Sequence, residues 1–171
     1  MSELLCFFKR NDDHNSNGAV NMETKKETFI FEGLGFPIEL IDAPMKKVFG
    51  EWIIDINLNE LQLFVFKELI YKPHPLTGRE LRFMRKFLKI STTEFGEDLG
   101  VSHAAILKWE KEQAKVAPAQ ELYIRMHLLK RLKDKDFLTL FEKVTPRTLA
   151  KAKKEKQTPF PIDLKQIKLA S

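Results

Sequence analysis

Residues 91–110 read Ser-Thr-Thr-Glu-Phe-Gly-Glu-Asp-Leu-Gly-Val-Ser-His-Ala-Ala-Ile-Leu-Lys-Trp-Glu, and their spacing sorts them into two sets. With a helix that starts after Ser102, its residues Ile106 and Trp109 and the preceding Val101 can point inward, which leaves His103, Ala104, Leu107 and Lys108 to look outward. The outward set can read base pairs. Lys108 can donate to guanine O6 and N7, His103 can donate or accept, and the Ala104 methyl can meet a thymine methyl, all in the major groove of a duplex.

The surrounding residues suit two short helices joined by a tight turn. Ser91 is a good N-cap, and Glu94 three residues on completes a capping box. Phe95 and Leu99 are four apart and share a helix face. Gly96 removes the side chain where the two helices must touch, and Gly100 suits a left-handed residue ending the first helix. Ser102 caps the second.

Taken with the Leu81-Arg82-Phe83-Met84-Arg85 run before it and the Trp109-Glu110 ending, this pattern resembles the helix-turn-helix of the Cro/lambda-repressor-like (XRE-type) family over roughly residues 76–132. The resemblance implies a five-helix domain that binds double-stranded DNA as a homodimer and regulates transcription. It implies a shielded ion pair between Arg85 and Glu110, and phosphate contacts from Arg79, Thr92, Lys111 and Lys115. The expected DNA-binding set is therefore Thr92, Ser102, His103, Ala104, Lys108, Lys111, Lys115 and Arg79. Thr92 stands where the family commonly has Gln. Its hydroxyl can still bond a phosphate.

Charge agrees with that placement. Residues 1–75 hold 8 Lys and Arg against 12 Asp and Glu, whereas residues 76–171 hold 21 against 12. The basic half is the half with the motif, as expected if it meets phosphates. Hydrophobic residues make up 43% of the 171, enough for a core, and 14 Phe against 2 Tyr suggest aromatics used for packing. No apolar run approaches twenty residues, so no membrane span is expected. Cys6 is the only cysteine, which excludes an internal disulfide and is compatible with a reducing cytoplasm, the expected location.

The chain divides by composition into four stretches. Residues 1–27 read as a disordered leader, polar and turn-rich from Lys9 on, with Met22 a candidate alternative start. Residues 28–75 read as a small module: strands at 28–31, 36–41, 45–49 and 51–56, a turn at Asp42-Ala43-Pro44, then a helix from Leu58 to Tyr71 capped by Asn57 and ended by Pro73 and Pro75. Residues 76–144 carry the motif. After it come a helix begun at Pro118, with Leu122, Met126, Leu129 and Leu132 as its buried stripe, and a short apolar helix with Phe137, Leu138, Leu140 and Phe141. An exposed Phe141 edge could serve dimerisation. Residues 145–171 form a basic tail, either an arm on the DNA backbone or a solubilising segment, with one more strand possible at Phe160–Leu164. The expected class is mainly α, of the α+β kind.

The order of strands, helix and helix-turn-helix is similar to antitoxins of the MqsA type and their YgiT-like relatives. Those hold zinc on two Cys pairs. This chain has none, and His14, His74, His103 and His127 lack ligand spacing, so no metal and no cofactor is expected. Packing by Phe29, Phe31, Phe36, Val48, Phe49, Trp52 and Ile54 takes the metal's place. The resemblance implies an autorepressing antitoxin of a type II pair whose acidic N-terminal module holds a toxin protein. The competing use of that module is a dimerisation sheet. The other class is an adaptor or inhibitor in which the helix-turn-helix is only a scaffold. No nucleophile–base pair or phosphate-cradling loop stands out, so enzymatic activity is not expected.

Overall fold

The computed structural model describes residues 23–152 and 159–165. The expected leader up to residue 22, with Cys6, and residues 153–158 and 166–171 of the tail lie outside them. Strands β1 (Thr24–Phe31), β2 (Ile38–Val48) and β3 (Glu51–Ile54) come first. Helices α1 (Leu58–Tyr71), α2 (Gly78–Phe87), α3 (Thr92–Leu99), α4 (His103–Glu110), α5 (Pro118–Arg131), α6 (Phe137–Lys143) and α7 (Pro146–Lys151) follow, and β4 (Phe160–Asp163) closes the order. The class is α+β. No helix among the described residues is long and apolar enough to cross a membrane.

Two expectations for the sheet are corrected. β1 begins at Thr24, inside the stretch read as leader, because its polar residues 24–27 pair with Lys46 to Ala43 on an exposed end of the sheet. The turn expected at 42–44 is absent. β2 runs through it as one 11-residue strand, and Asp42, with φ 53, absorbs a register shift opposite Glu27 and Phe29. A bulge thus does what the Asp-Ala-Pro turn signal suggested. The reversal comes instead at Phe49-Gly50, both with positive φ, as a two-residue hairpin loop demands.

β4 is the tail's return. It pairs in parallel with β2, Ile38 opposite Phe160 through Ile41 opposite Asp163, and buries Ile162. The Lys165 ammonium, 2.9 Å from Asp42, holds that carboxyl below its usual range. The described parts of the expected tail, α7 and β4, are therefore packed on the fold, since α7 also buries Leu149. Buried side chains from the sheet (Ile38, Leu40), α1 (Phe66, Leu69), α2 (Leu81, Met84), α4 (Ile106), α5 (Ile124, Leu128) and α7 (Leu149) form one cluster. Phe83 bridges two parts of it, with its ring edge-on to Phe36 at 5.4 Å.

The buried side of α5 differs from the expected stripe. Glu121, Ile124, Arg125, Leu128 and Leu129 are buried, while Leu122, Met126 and Leu132 only pack at the margin. Apolar periodicity missed this because two of the five buried residues are charged.

Candidate nucleic-acid interface

α3 and α4 are eight residues each, joined by Gly100, Val101 and Ser102. The Ser91 hydroxyl accepts from the Glu94 amide at 3.0 Å, and the Ser102 hydroxyl from the Ala105 amide at 3.2 Å. The expected capping box at Ser91 is only half formed, because the Glu94 carboxylate accepts from Arg131 at 3.0 Å instead. Gly100 ends α3 with φ 68. A Cβ at Gly96 would lie 2.7 Å from the Val101 carbonyl, so only glycine lets the turn come this close.

Two ionic contacts fix this pair on its neighbours. Arg85 of α2 donates to Glu110 of α4 from Nε (2.6 Å) and Nη2 (3.0 Å), and from Nη1 to the Ile90 carbonyl (2.7 Å), all of it buried. On the other side, Arg131 of α5 donates to Asp98 of α3 as well as to Glu94. Burial raises the Asp98 carboxyl, but Arg131 and His127 outweigh it and hold it below the usual range. His127 Nε2 sits 3.1 Å from Asp98 Oδ2, close enough for an ion pair but not aligned as a hydrogen bond.

With α3 and α4 held from behind, the outward set is open. His103, Ala104, Leu107 and Lys108 are exposed on α4, Lys111 caps its C-terminus, and Lys115 lies exposed in the following loop. Thr92 is half-buried at the first position of α3, and Arg79 is exposed on α2. None of the side chains of Lys108, Lys111, Lys115 and Arg79 has a hydrogen-bond or ion-pair partner among the described residues. Ser102 is committed to its cap. α4 contributes one acid, Glu110, and it is turned inward to Arg85.

Reasoning from the sequence missed the groundwork under this surface. Arg125 is fully buried. It donates to the carbonyls of Ile70 (2.9 Å), Lys72 (2.5 Å) and His74 (2.7 Å), and to Glu121 (2.6 Å). Glu80 completes a capping box with Thr77 and accepts from Lys72 at 2.7 Å. The i,i+4 spacing of Glu121 and Arg125 and the Thr77-x-x-Glu80 pattern were the available signals.

A groove of about 770 Å³ opens between residues 72–78, the loop after α4, α7 and β4. Its carboxylates are engaged structurally, Glu112 by the Gly78 amide and Glu121 by Arg125 and the Leu76 amide. Among the described residues, no group of three or more His, Cys, Asp or Glu side chains is placed to hold a metal ion. No protein-family model, no curated protein and no solved structure matches the chain.

Proposed function

We propose that the chain is a sequence-specific DNA-binding transcriptional regulator, with α2–α6 forming a lambda-repressor-like helix-turn-helix unit and α4 entering the major groove. The observation that carries this reading is the split of α4. Ile106 and Glu110 are buried, and Glu110 is fixed on Arg85, while His103, Ala104, Leu107 and Lys108 present donors and methyls with no internal use. Such a helix, preceded by a short helix whose N-terminus is free for phosphates, fits the way helix-turn-helix proteins dock. Leu138, 79% exposed, and Phe141 on α6 offer an apolar face for a homodimer, which palindromic half-sites require. A gel shift on the DNA upstream of its own gene, against a scrambled duplex, tests the assignment. Retardation of the upstream duplex alone supports it, and equal retardation of both rejects sequence specificity.

A second role, protein capture by the sheet, rests on Phe49. This side chain is fully exposed at the β2–β3 tip, on a residue with φ 51. A bulky residue in the left-handed region is strained, and its ring gains nothing from burial there. A toxin whose gene neighbours this one fits as the protein that covers it, which makes the chain an antitoxin and autorepressor. Co-purification of that gene's product with the wild type, lost in Phe49→Ser, supports this role. Retention by Phe49→Ser moves the contact elsewhere.

A further inference from the structure

α2 carries more positive charge outward than its own folding explains. Arg79, Arg82 and Lys86 are exposed on it, and Lys89, also exposed, follows at the positive-φ residue just past its end. At 3.6 residues per turn the three helical cations fall within an arc of roughly 60°. None of the four side chains has a hydrogen-bond or ion-pair partner among the described residues. Several cations elsewhere are paired, Lys46 with Asp55, Lys47 with Glu23, and Arg131 with Glu94 and Asp98, whereas Lys108, Lys111 and Lys115 beside the stripe are unpaired like it. The one acid of α2, Glu80, is buried and spends its carboxylate on Lys72 and the Thr77 amide.

This arrangement works against the helix. Arg79 is in its first turn, beside the positive end of the backbone dipole, where a cation is disfavoured. Arg79 and Arg82, then Arg82 and Lys86, are like charges three and four residues apart, which repel. Lys86, in the last turn, and Lys89, just past it, gain from the negative end of the dipole, but the repulsion between Arg79, Arg82 and Lys86 is left without a countercharge on the outer face.

The ends of the stripe lie where phosphates are already expected. The start of α2 rests on the end of α4 so closely that a Cβ at Gly78 would be 2.5 Å from the Trp109 and Glu110 carbonyls, and the Gly78 amide donates to Glu112. Lys111 and Lys115 belong to that same stretch. At the other end, Lys89 is two residues from Ser91, the cap of α3, and three from Thr92. Gly78 and Arg85, which touch α4, border the stripe on one side. The apolar side chains of α2 are buried or half-buried, so the stripe lacks the apolar centre of a protein interface.

We propose that the outer face of α2, with Arg79, Arg82, Lys86 and Lys89, is a second phosphate-binding surface that holds the backbone of double-stranded DNA beside the groove entered by α4. The inference rests on the DNA-binding reading above and extends its footprint to a helix outside the α3–α4 pair.

The test is a salt titration of the full chain on a random-sequence duplex of about three helical turns. The wild type is compared with Arg82→Gln/Lys86→Gln/Lys89→Gln. Each phosphate contact contributes about 0.9 to the slope of log K against log salt, so the triple variant is expected to bind with a slope shallower by about 2–3. Its melting temperature should stay close to the wild type's, since only exposed, unpaired side chains are changed. Should the triple variant melt early, Lys86→Gln alone serves, with a slope change of about 0.9. Wild-type binding with an unchanged slope overturns this inference and leaves the α4 reading standing. A wild type that binds no DNA overturns both. A slope change on single-stranded RNA of equal length, without one on duplex DNA, also overturns the assignment.

Discussion

Arg125 and Glu121 stand one turn apart on α5 and together close the end of α1. The Arg125 guanidinium donates to the carbonyls of Ile70, Lys72 and His74, while Glu121 accepts from Arg125 and from the Leu76 amide at 2.8 Å. The last carbonyls of a helix have no partner within it, and burying them unpaired is costly. One ion pair therefore caps α1, fixes residues 72–76 and sets where α2 begins. Burial pulls the Arg125 guanidinium below its ordinary range, and Glu121 opposes that shift.

Arg125→Ala is expected to cost about 3–5 kcal/mol, because it leaves Glu121 as an uncompensated buried charge and several carbonyls without a donor. Arg125→Lys should recover little, since an ammonium cannot match the planar fork that reaches four carbonyls and a carboxylate. Urea denaturation measures both. A loss under about 1 kcal/mol in the Ala variant would place Arg125 with ordinary surface arginines.

Glu110→Ala is expected to lower stability by a similar amount, about 3–5 kcal/mol, since it strands Arg85 between α2 and α4. The double change Arg85→Met/Glu110→Leu should be milder than either single change, because neither charge is left buried alone. Thermal melts of the four proteins form the cycle. Additive losses would mean that the two residues stabilise independently.

The α3–α4 region was legible because its signals are local. Ser91, Gly100 and Ser102 act on backbone within a few residues, and their caps and φ values are set by near neighbours. The sheet was less legible. Whether Asp42-Ala43-Pro44 turns or bulges depends on β1 pairing across it and on Lys165 arriving from more than a hundred residues later. Only the Glu121 spacing of Arg125 was local, and its carbonyl partners at 69–74 are some fifty residues away in sequence. The compositional boundary at 75 does not part the core either. Phe66 and Leu69 of α1 share one buried cluster with Leu81, Ile124 and Leu128. A fragment begun at residue 73 would expose that surface, so substitutions in the full chain are the sounder way to separate the roles of sheet and helices.

His127 makes stability depend on pH. Burial lowers its pKa from 6.5, Asp98 opposes that shift, and Arg131 and Lys130 add to it. With the folded value below the unfolded one, the unfolded chain binds more protons between the two. The contribution is therefore whole above about 6.5 and is lost as pH falls below it towards the folded value. The wild-type melting temperature should drop between about pH 7.5 and pH 5.5, and His127→Gln should flatten that drop. A variant whose melting temperature falls as steeply as the wild type's would assign the dependence to other groups.

On the surface of α4, the expected roles of Lys108 and of the pair Lys111 and Lys115 separate by experiment. The Lys108 side chain is exposed and unpartnered in the last turn of α4, on the outward face, where it can reach guanine edges. Lys108→Ala should cost about 1–3 kcal/mol on the specific site and much less on random DNA. Lys111 and Lys115 lie at and beyond the end of α4, where a cation meets the backbone rather than the bases. Neutralising both should weaken specific and random duplexes alike and flatten the salt slope by about 2. Fluorescence anisotropy on the upstream duplex and on random DNA, each at several salt concentrations, measures all four quantities. Equal losses for Lys108→Ala on the two duplexes would make it a phosphate contact, and base reading would then fall to His103 and Ala104.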